Sequence, residues 1–422
     1  MNNNILCANL SLIPEFNTII NKGENSLNIL KLNKVNCVSS SLQDGSSYTV
    51  IRYDKDFLNI DLIETYGLCR SIILNSDNDV VSFAPPKSIP SDRFILKYSE
   101  NKDNIIAQEF VEGTMINVFW NDKIGLTGGW EIATRNTVGA NSSFYKSSKT
   151  KTFRQMFLEA AKENNLVLER LNPKYCYSFV LQHPDNRIVV PFHKSQLYLV
   201  AMYHIDNSDK NKIIINSINN ITIRKLDWQN SSIKFPEIYS FENYSELIEK
   251  YASMNTSYNI LGVVLYNYVT GERCKIRNPV YEQVRNLRGN QPKLQYQYLS
   301  LRKEGKVKEF LKFYPENKKE FSSFRDQVHL FTNTLVSNYI SCYIKKEKPL
   351  IEFSQQYRSH MFHLHQKYIN ELREKKMFIT STIVCNYVNN LHPSILMFTL
   401  NFQMRKRNID FITANVNENE LN

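Results

Sequence analysis

The feature that most constrains this chain is a change of hydrophobic period near Pro292. From Tyr48 to about Asn290 apolar residues alternate in short runs: YTVIRY, MINVFW, YSFVL, RIVVPF, LYLVAMY and NILGVVLYN. A period of two places alternate side chains on one face, the pattern of half-buried strands. After Pro292 the segments LSLRKEGKVKEFLKFY, SFRDQVHLFTNTLVSNYISCYI, SQQYRSHMFHLHQKYINELREK and STIVCNYVNNL carry apolar residues three and four apart, the spacing of helices with one buried stripe. Two helical segments, Thr152 to Asn165 and Ser240 to Ser253, interrupt the strands. The expected fold class is therefore α+β: an antiparallel-sheet domain followed by an all-α domain. Proline placement and the change of period predict a segment over 1–90 leading into the sheet, a sheet domain over 91–298 and a helical domain over 299–422.

A chain of 422 residues with 42% hydrophobic content can bury two or three cores. No run of eighteen or more apolar residues occurs, and the polar start MNNNILCANLSL lacks the order of a secretion signal. A soluble intracellular protein is expected. The seven cysteines are scattered and never closely paired, which argues for free thiols rather than disulfides or a zinc cluster. The net charge of +11 favours acidic partners, and it is regional. Between Gly271 and Lys312 there are eleven Lys or Arg against four Asp or Glu.

No GxxxxGK[ST] loop, no GxGxxG after a strand, no HExxH and no serine nucleophile elbow is present, which sets those enzyme classes aside. Five other stretches occur in a telling order: FVEGTMINVFW, TGGWEIATRNTVGAN, FVLQHPDNRIVV, NILGVVLYN and CKIRNPVYEQVRNLRGN. Together they resemble the ordered motifs of the bacteriophage-type RNA ligases, a family of covalent nucleotidyltransferases. The resemblance runs over roughly residues 65 to 300 and implies a nucleotidyltransferase domain of the ATP-grasp-like ligase type, with antiparallel sheets. The family's nucleophilic lysine falls on Phe110, two residues before Glu112 and three before Gly113. One family glutamate falls on Val180, within a stretch that keeps Phe179, Pro184, Asn186, Arg187 and Ile188, and a second falls on Leu261 before Gly262. The last motif survives nearly whole as Lys275, Arg277, Asn278, Pro279 and Tyr281, and Thr134, Arg135, Gly139 and Asn141 match the segment between the first motifs.

The resemblance implies a lysine amine that attacks the α-phosphate of ATP, helped by a divalent metal on hard oxygen ligands. Phe110, Val180 and Leu261 offer neither nitrogen nor oxygen, so the expectation is a degenerate ligase without ATP or magnesium, its pocket refilled as core. Magnesium and ATP return only if another lysine supplies the amine, and Lys97, in RFILKYSE, or Lys87 are the sequence's candidates. Expected phosphate or nucleic-acid contacts are Arg135, Arg187, Lys275, Arg277, Arg285 and Arg288, weighed against an ordinary solvated face. The expected partners are RNA or DNA, or other viral proteins, because such ligases are frequent in viruses and the Asn-, Lys- and Ile-rich composition suits a large DNA virus. A place within a virion is thinkable on that association, as is a purely structural subunit without nucleic-acid affinity.

The basic stretch from Lys275 through Arg302, Lys303, Lys306 and Lys308 is interleaved with Tyr281, Tyr296 and Tyr298, which suits phosphate contact with base stacking or a helix surface of snorkelling lysines. His360, His363 and His365 do not share one helix face, and no acid completes a metal site. Trp120 and Trp130 flank a predicted hairpin and read as cross-strand packing.

Overall fold

The computed structural model describes residues 4–17, 35–42, 45–100, 102–144, 150–228 and 230–407. The alternating runs form three antiparallel sheets. One has six strands in the order Asn4–Asn9, Ile214–Ile218, Gln196–Asp206, Tyr175–Gln182, Thr114–Asn121 and Gly129–Thr134. A second has four, in the order Ile238–Tyr239, Ile105–Glu109, Gly262–Asn267 and Arg273–Arg277. The third pairs Val35–Ser41, Ser47–Tyr53, Ile72–Leu74 and Val80–Phe83 in sequence order.

Alternation decides which face of each strand is buried. In the six-stranded sheet Ile116, Val118, Phe179, Leu181, Leu197 and Leu199 point into one core. The helix Phe153–Glu163 covers that face with Met156, Phe157, Ala160 and Ala161. It begins at a capping box in which the Thr152 hydroxyl accepts from the Gln155 amide while the Gln155 side chain accepts from the Thr152 amide. Trp120 and Trp130 stand opposite each other across the hairpin, edge to face with centroids 5.5 Å apart, as their spacing predicts.

One predicted strand does not form. RIVVPF follows a turn over Pro184–Asn186 and pairs with no ladder. Its amides are taken instead by a side chain: the buried Glu112 carboxylate accepts from Val189 N at 2.7 Å and Val190 N at 3.1 Å. A carboxylate that captures two consecutive amides removes the donors a strand would need.

The chain divides into two compact units, 1–285 and 286–422. The second is helical, with Leu294–Lys303, Val307–Phe313, Lys318–Tyr339, Gln355–Lys367, Ser381–Asn390 and Pro393–Leu400. Its core holds Phe310, Phe321, Phe331, Leu335, Met361, Leu364, Val388 and Leu396. The architecture is the expected α+β domain followed by helices. Among the described residues no helix is long and apolar enough to cross a membrane.

Candidate functional site

The ligase-like motifs converge because two glycines let backbones approach. Gly113 has φ +146°, and a Cβ there would lie 2.5 Å from the Leu181 carbonyl oxygen. Gly262 has φ +134°, and its Cβ would meet the Ile276 carbonyl oxygen at 2.1 Å. Neither place admits another residue without backbone movement. The Gln182 amide donates to the Glu112 carbonyl at 2.9 Å, and Asn186 donates to the Thr114 hydroxyl at 2.8 Å. The FVEGT and FVLQHPDN stretches are thereby tied together. Asn278, fully buried, donates to the Ser257 and Ile260 carbonyls at 2.8 and 2.9 Å and accepts from the Val280 amide, which starts the helix Pro279–Arg288 with proline at its first position.

Between the six-stranded and the Ile105-to-Arg277 sheets lies a cavity of about 450 Å³. That volume falls in the range of small-molecule sites. Register explains its lining. Val264 pairs with Gln108 on one side and with Lys275 on the other, so one transverse row of the four-stranded sheet supplies three lining side chains. Arg273, two residues before Lys275, points the same way. Phe110 leaves the Ile105–Glu109 strand, and Val180 faces the same space from the opposite sheet.

The electrostatics are one-sided. Arg70, Arg135, Arg273 and Lys275 all line the cavity and all are partly buried, whereas the acid present is Glu109. Burial pushes the Arg70 guanidinium down to about 10, with Arg273 and Arg135 adding repulsion. Lys275 is pushed down to about 5 by burial first, then by Arg273, Arg70, Arg277 and Lys87. Its amine is therefore neutral at pH 7 in the empty protein. It sits 4.7 Å from the centre of the Phe110 ring, and the Arg277 guanidinium lies 5.6 Å from the same ring. Glu109 is shifted the other way, upward, by burial, and accepts the Glu237 amide at 3.2 Å. Arg70 and Arg273 are held by the carbonyls of Pro85 and Pro86, and Arg135 lies 5.0 Å over the Tyr53 ring.

Among the residues singled out from sequence, Phe110, Val180, Arg135 and Lys275 meet at this cavity. Leu261 is buried just before the Gly262–Asn267 strand, where its carbonyl accepts the Asn278 amide, and it does not line the cavity. The expected refilling is thus incomplete: Val180 is buried, but open space remains beside it. Arg277 is exposed and pairs with Glu282 at 2.5 Å, and Arg285 faces the same carboxylate at 3.4 Å. Arg187 donates to the Val189 carbonyl at 2.9 Å within the loop that Glu112 holds, and Arg288 ends the Pro279–Arg288 helix.

Lys97 lies elsewhere. Its Nζ is 2.9 Å from the Glu272 carboxylate, which raises its pKa, the opposite of what a nucleophile needs. His360 is buried between the Tyr387 hydroxyl at 2.9 Å and the Thr399 hydroxyl at 3.1 Å, His365 stacks on Tyr343, and no group of three metal-ligating side chains exists among the described residues. Sequence reasoning missed Arg70 and Arg273. The second was legible, since Arg273, Lys275 and Arg277 alternate along one strand, whereas Arg70 follows a turn with no local pattern.

Antiparallel sheets enclosing a cation-lined cavity large enough for a small molecule are the arrangement that the motif order anticipated. Comparison with known proteins finds similarity to an RNA ligase and to a viral protein. An RNA ligase of Rhodothermus phage RM378 is 26% identical over 205 residues, covering 43% of this chain and 45% of the relative. A protein of Invertebrate iridescent virus 6 named immediate-early protein ICP-46 homolog is 26% identical over 327 residues, 70% of this chain and 67% of that protein. The match thus spans under half the length of the phage ligase and about two thirds of the iridescent-virus protein. No family model matches the chain. Solved structures of Naegleria gruberi RNA ligase align at TM-scores of 0.33 to 0.34: an apo variant at 13% identity over 62% of this chain and 82% of that one, and a pyrophosphate complex at 14% over 59% and 76%. The chain is thus similar to a phage RNA ligase and to an iridescent-virus protein.

Proposed function

We propose that this chain is a catalytically inactive RNA ligase-like protein that keeps the scaffold to hold a phosphate-bearing nucleic acid without joining it. The observation that carries this reading is Phe110. It occupies the nucleophile's place in the motif order, at the wall of a cavity whose cations remain. An aromatic ring forms no bond to phosphorus, whereas phosphate attraction needs only positive charge and survives the loss of chemistry. The names of the relatives, an RNA ligase and a viral early protein, fit a nucleic-acid partner.

A second reading has one observation in its favour. If another lysine forms the covalent adduct, the neutral, cavity-facing amine of Lys275 is the candidate, not Lys97. Incubation with α-labelled ATP and magnesium followed by denaturing electrophoresis separates the two. The inactive reading expects no labelled band, together with RNA binding that weakens steeply as salt rises. A band that persists in Lys97→Ala and disappears in Lys275→Met establishes the second reading, and absence of both band and RNA binding leaves a structural subunit.

A further inference from the structure

The losses and the gains in this cavity point in one direction. A divalent cation on a nucleotide needs carboxylate or other hard oxygen ligands from the protein. Here Val180 stands on the cavity wall as a hydrocarbon, Leu261 lies outside it, and Glu109, the one carboxylate in the lining, accepts the Glu237 amide and is disfavoured as an anion by burial. The residues present do not fit a metal site. They fit a polyanion instead, because the Arg70, Arg135 and Arg273 guanidinium groups crowd, beside the Lys275 amine, one partly buried space whose lining includes a single carboxylate. Like charges gathered out of water are unfavourable unless an anion joins them. The arginines offer planar forks suited to phosphate oxygens. Besides polar Thr114, Thr134 and Asn136, the wall carries Phe110, Val180 and Val264, which can pack against a base or sugar.

We infer that the cavity binds a nucleoside polyphosphate without a divalent metal, Arg70, Arg135 and Arg273 neutralising the phosphates that magnesium neutralises elsewhere, and Lys275 taking up a proton from water as the anion enters. This rests on the reading that the cavity is a non-covalent site. The polyphosphate belongs either to a free nucleotide or to the 5′ end of an RNA; both present the same group.

Isothermal titration of the full chain with ATP, in excess EDTA and again in excess magnesium, tests the inference. The expected result is binding in EDTA at least as tight as in magnesium, since the metal competes with the arginines for the same oxygens. Tripolyphosphate should compete, and adenosine should not bind. Lys275→Met and Arg135→Gln should each weaken binding about tenfold or more, the effect of losing a charge-assisted hydrogen bond. Thermal unfolding of both variants confirms that they fold. A 5′-triphosphate oligonucleotide that binds more tightly than ATP identifies the RNA end as the source. Binding that requires magnesium overturns the inference and leaves the non-covalent reading standing, whereas a covalent adduct overturns that reading itself. Absence of ATP and triphosphate-RNA binding in both buffers, or binding that neither variant changes, also overturns the inference.

Discussion

Two neighbouring stretches carry similar basic charge and use it differently. On the strand Arg273–Arg277, Arg273 and Lys275 face a cavity whose other charged walls are mostly cationic, and burial, with the arginines adding to it, pushes Lys275 down to about 5. On the helix Pro279–Arg288 the Glu282 carboxylate answers Arg277 and Arg285, and farther on Lys306 pairs with Glu304 at 2.9 Å in full solvent. In sequence both stretches are simply rich in Lys and Arg. The difference is whether the fold supplies acids and water or withholds them, and the withheld case is where the proposed ligand site lies.

The largest effect that would break this comparison is the loss of the sheet that creates it. Gly262→Ala should cost on the order of 3 kcal/mol or more, because the new Cβ collides with the Ile276 carbonyl and the residue sits at positive φ. Denaturant unfolding should show it, and a fully stable variant would mean that the strand pairing beside Lys275 is looser than described.

Next comes the contrast itself. Arg273→Ala should weaken ATP binding by about tenfold or more, and Arg285→Ala and Lys306→Ala by about twofold at most, since solvated pairs are screened and weak. Equal losses on strand and helix would erase the distinction between the two stretches.

The unliganded protein should also bear a cost at Lys275. Its folded pKa of about 5 lies below the unfolded value of 10.5, so the unfolded chain binds more protons between those limits and stability rises with pH across them. Lys275→Met should remove that slope and stabilise the empty protein at neutral pH by about 1 to 2 kcal/mol, discounted for water entering the open cavity. Unfolding free energies measured against pH in both proteins check this, and an unchanged slope would mean that the amine is charged and solvated.

The smallest effect lies in the helical unit. Burial, with His363 nearby, lowers His360 to about 4, below its unfolded 6.5. The stability that its neutral form confers is complete above about pH 6.5 and falls as pH drops toward 4. His360→Gln should flatten that limb and cost about 1 kcal/mol through weakened hydrogen bonds to Tyr387 and Thr399.

Hydrophobic period was enough to read most strands and the helical last third, because a half-buried face imposes its spacing on any sequence that forms it. RIVVPF shows where that reasoning stops: its alternation is that of a strand, but the Glu112 carboxylate, 77 residues earlier, takes its amides. Likewise Lys97 and Lys275 are indistinguishable as letters. One meets Glu272 and keeps its charge; the other meets arginines and Phe110 and gives it up.

What the sequence by itself determined is therefore the order of the ligase-like motifs, the absence of a lysine at Phe110 and the two-part α+β then α plan, since each follows from local residue identity and period. What only the tertiary structure decided is that a cavity survives beside Val180, that Arg70 joins it from a distant turn, and that Leu261 does not. Those outcomes depend on which side chains share a space, and strand register and long-range packing, rather than sequence spacing, set that distance.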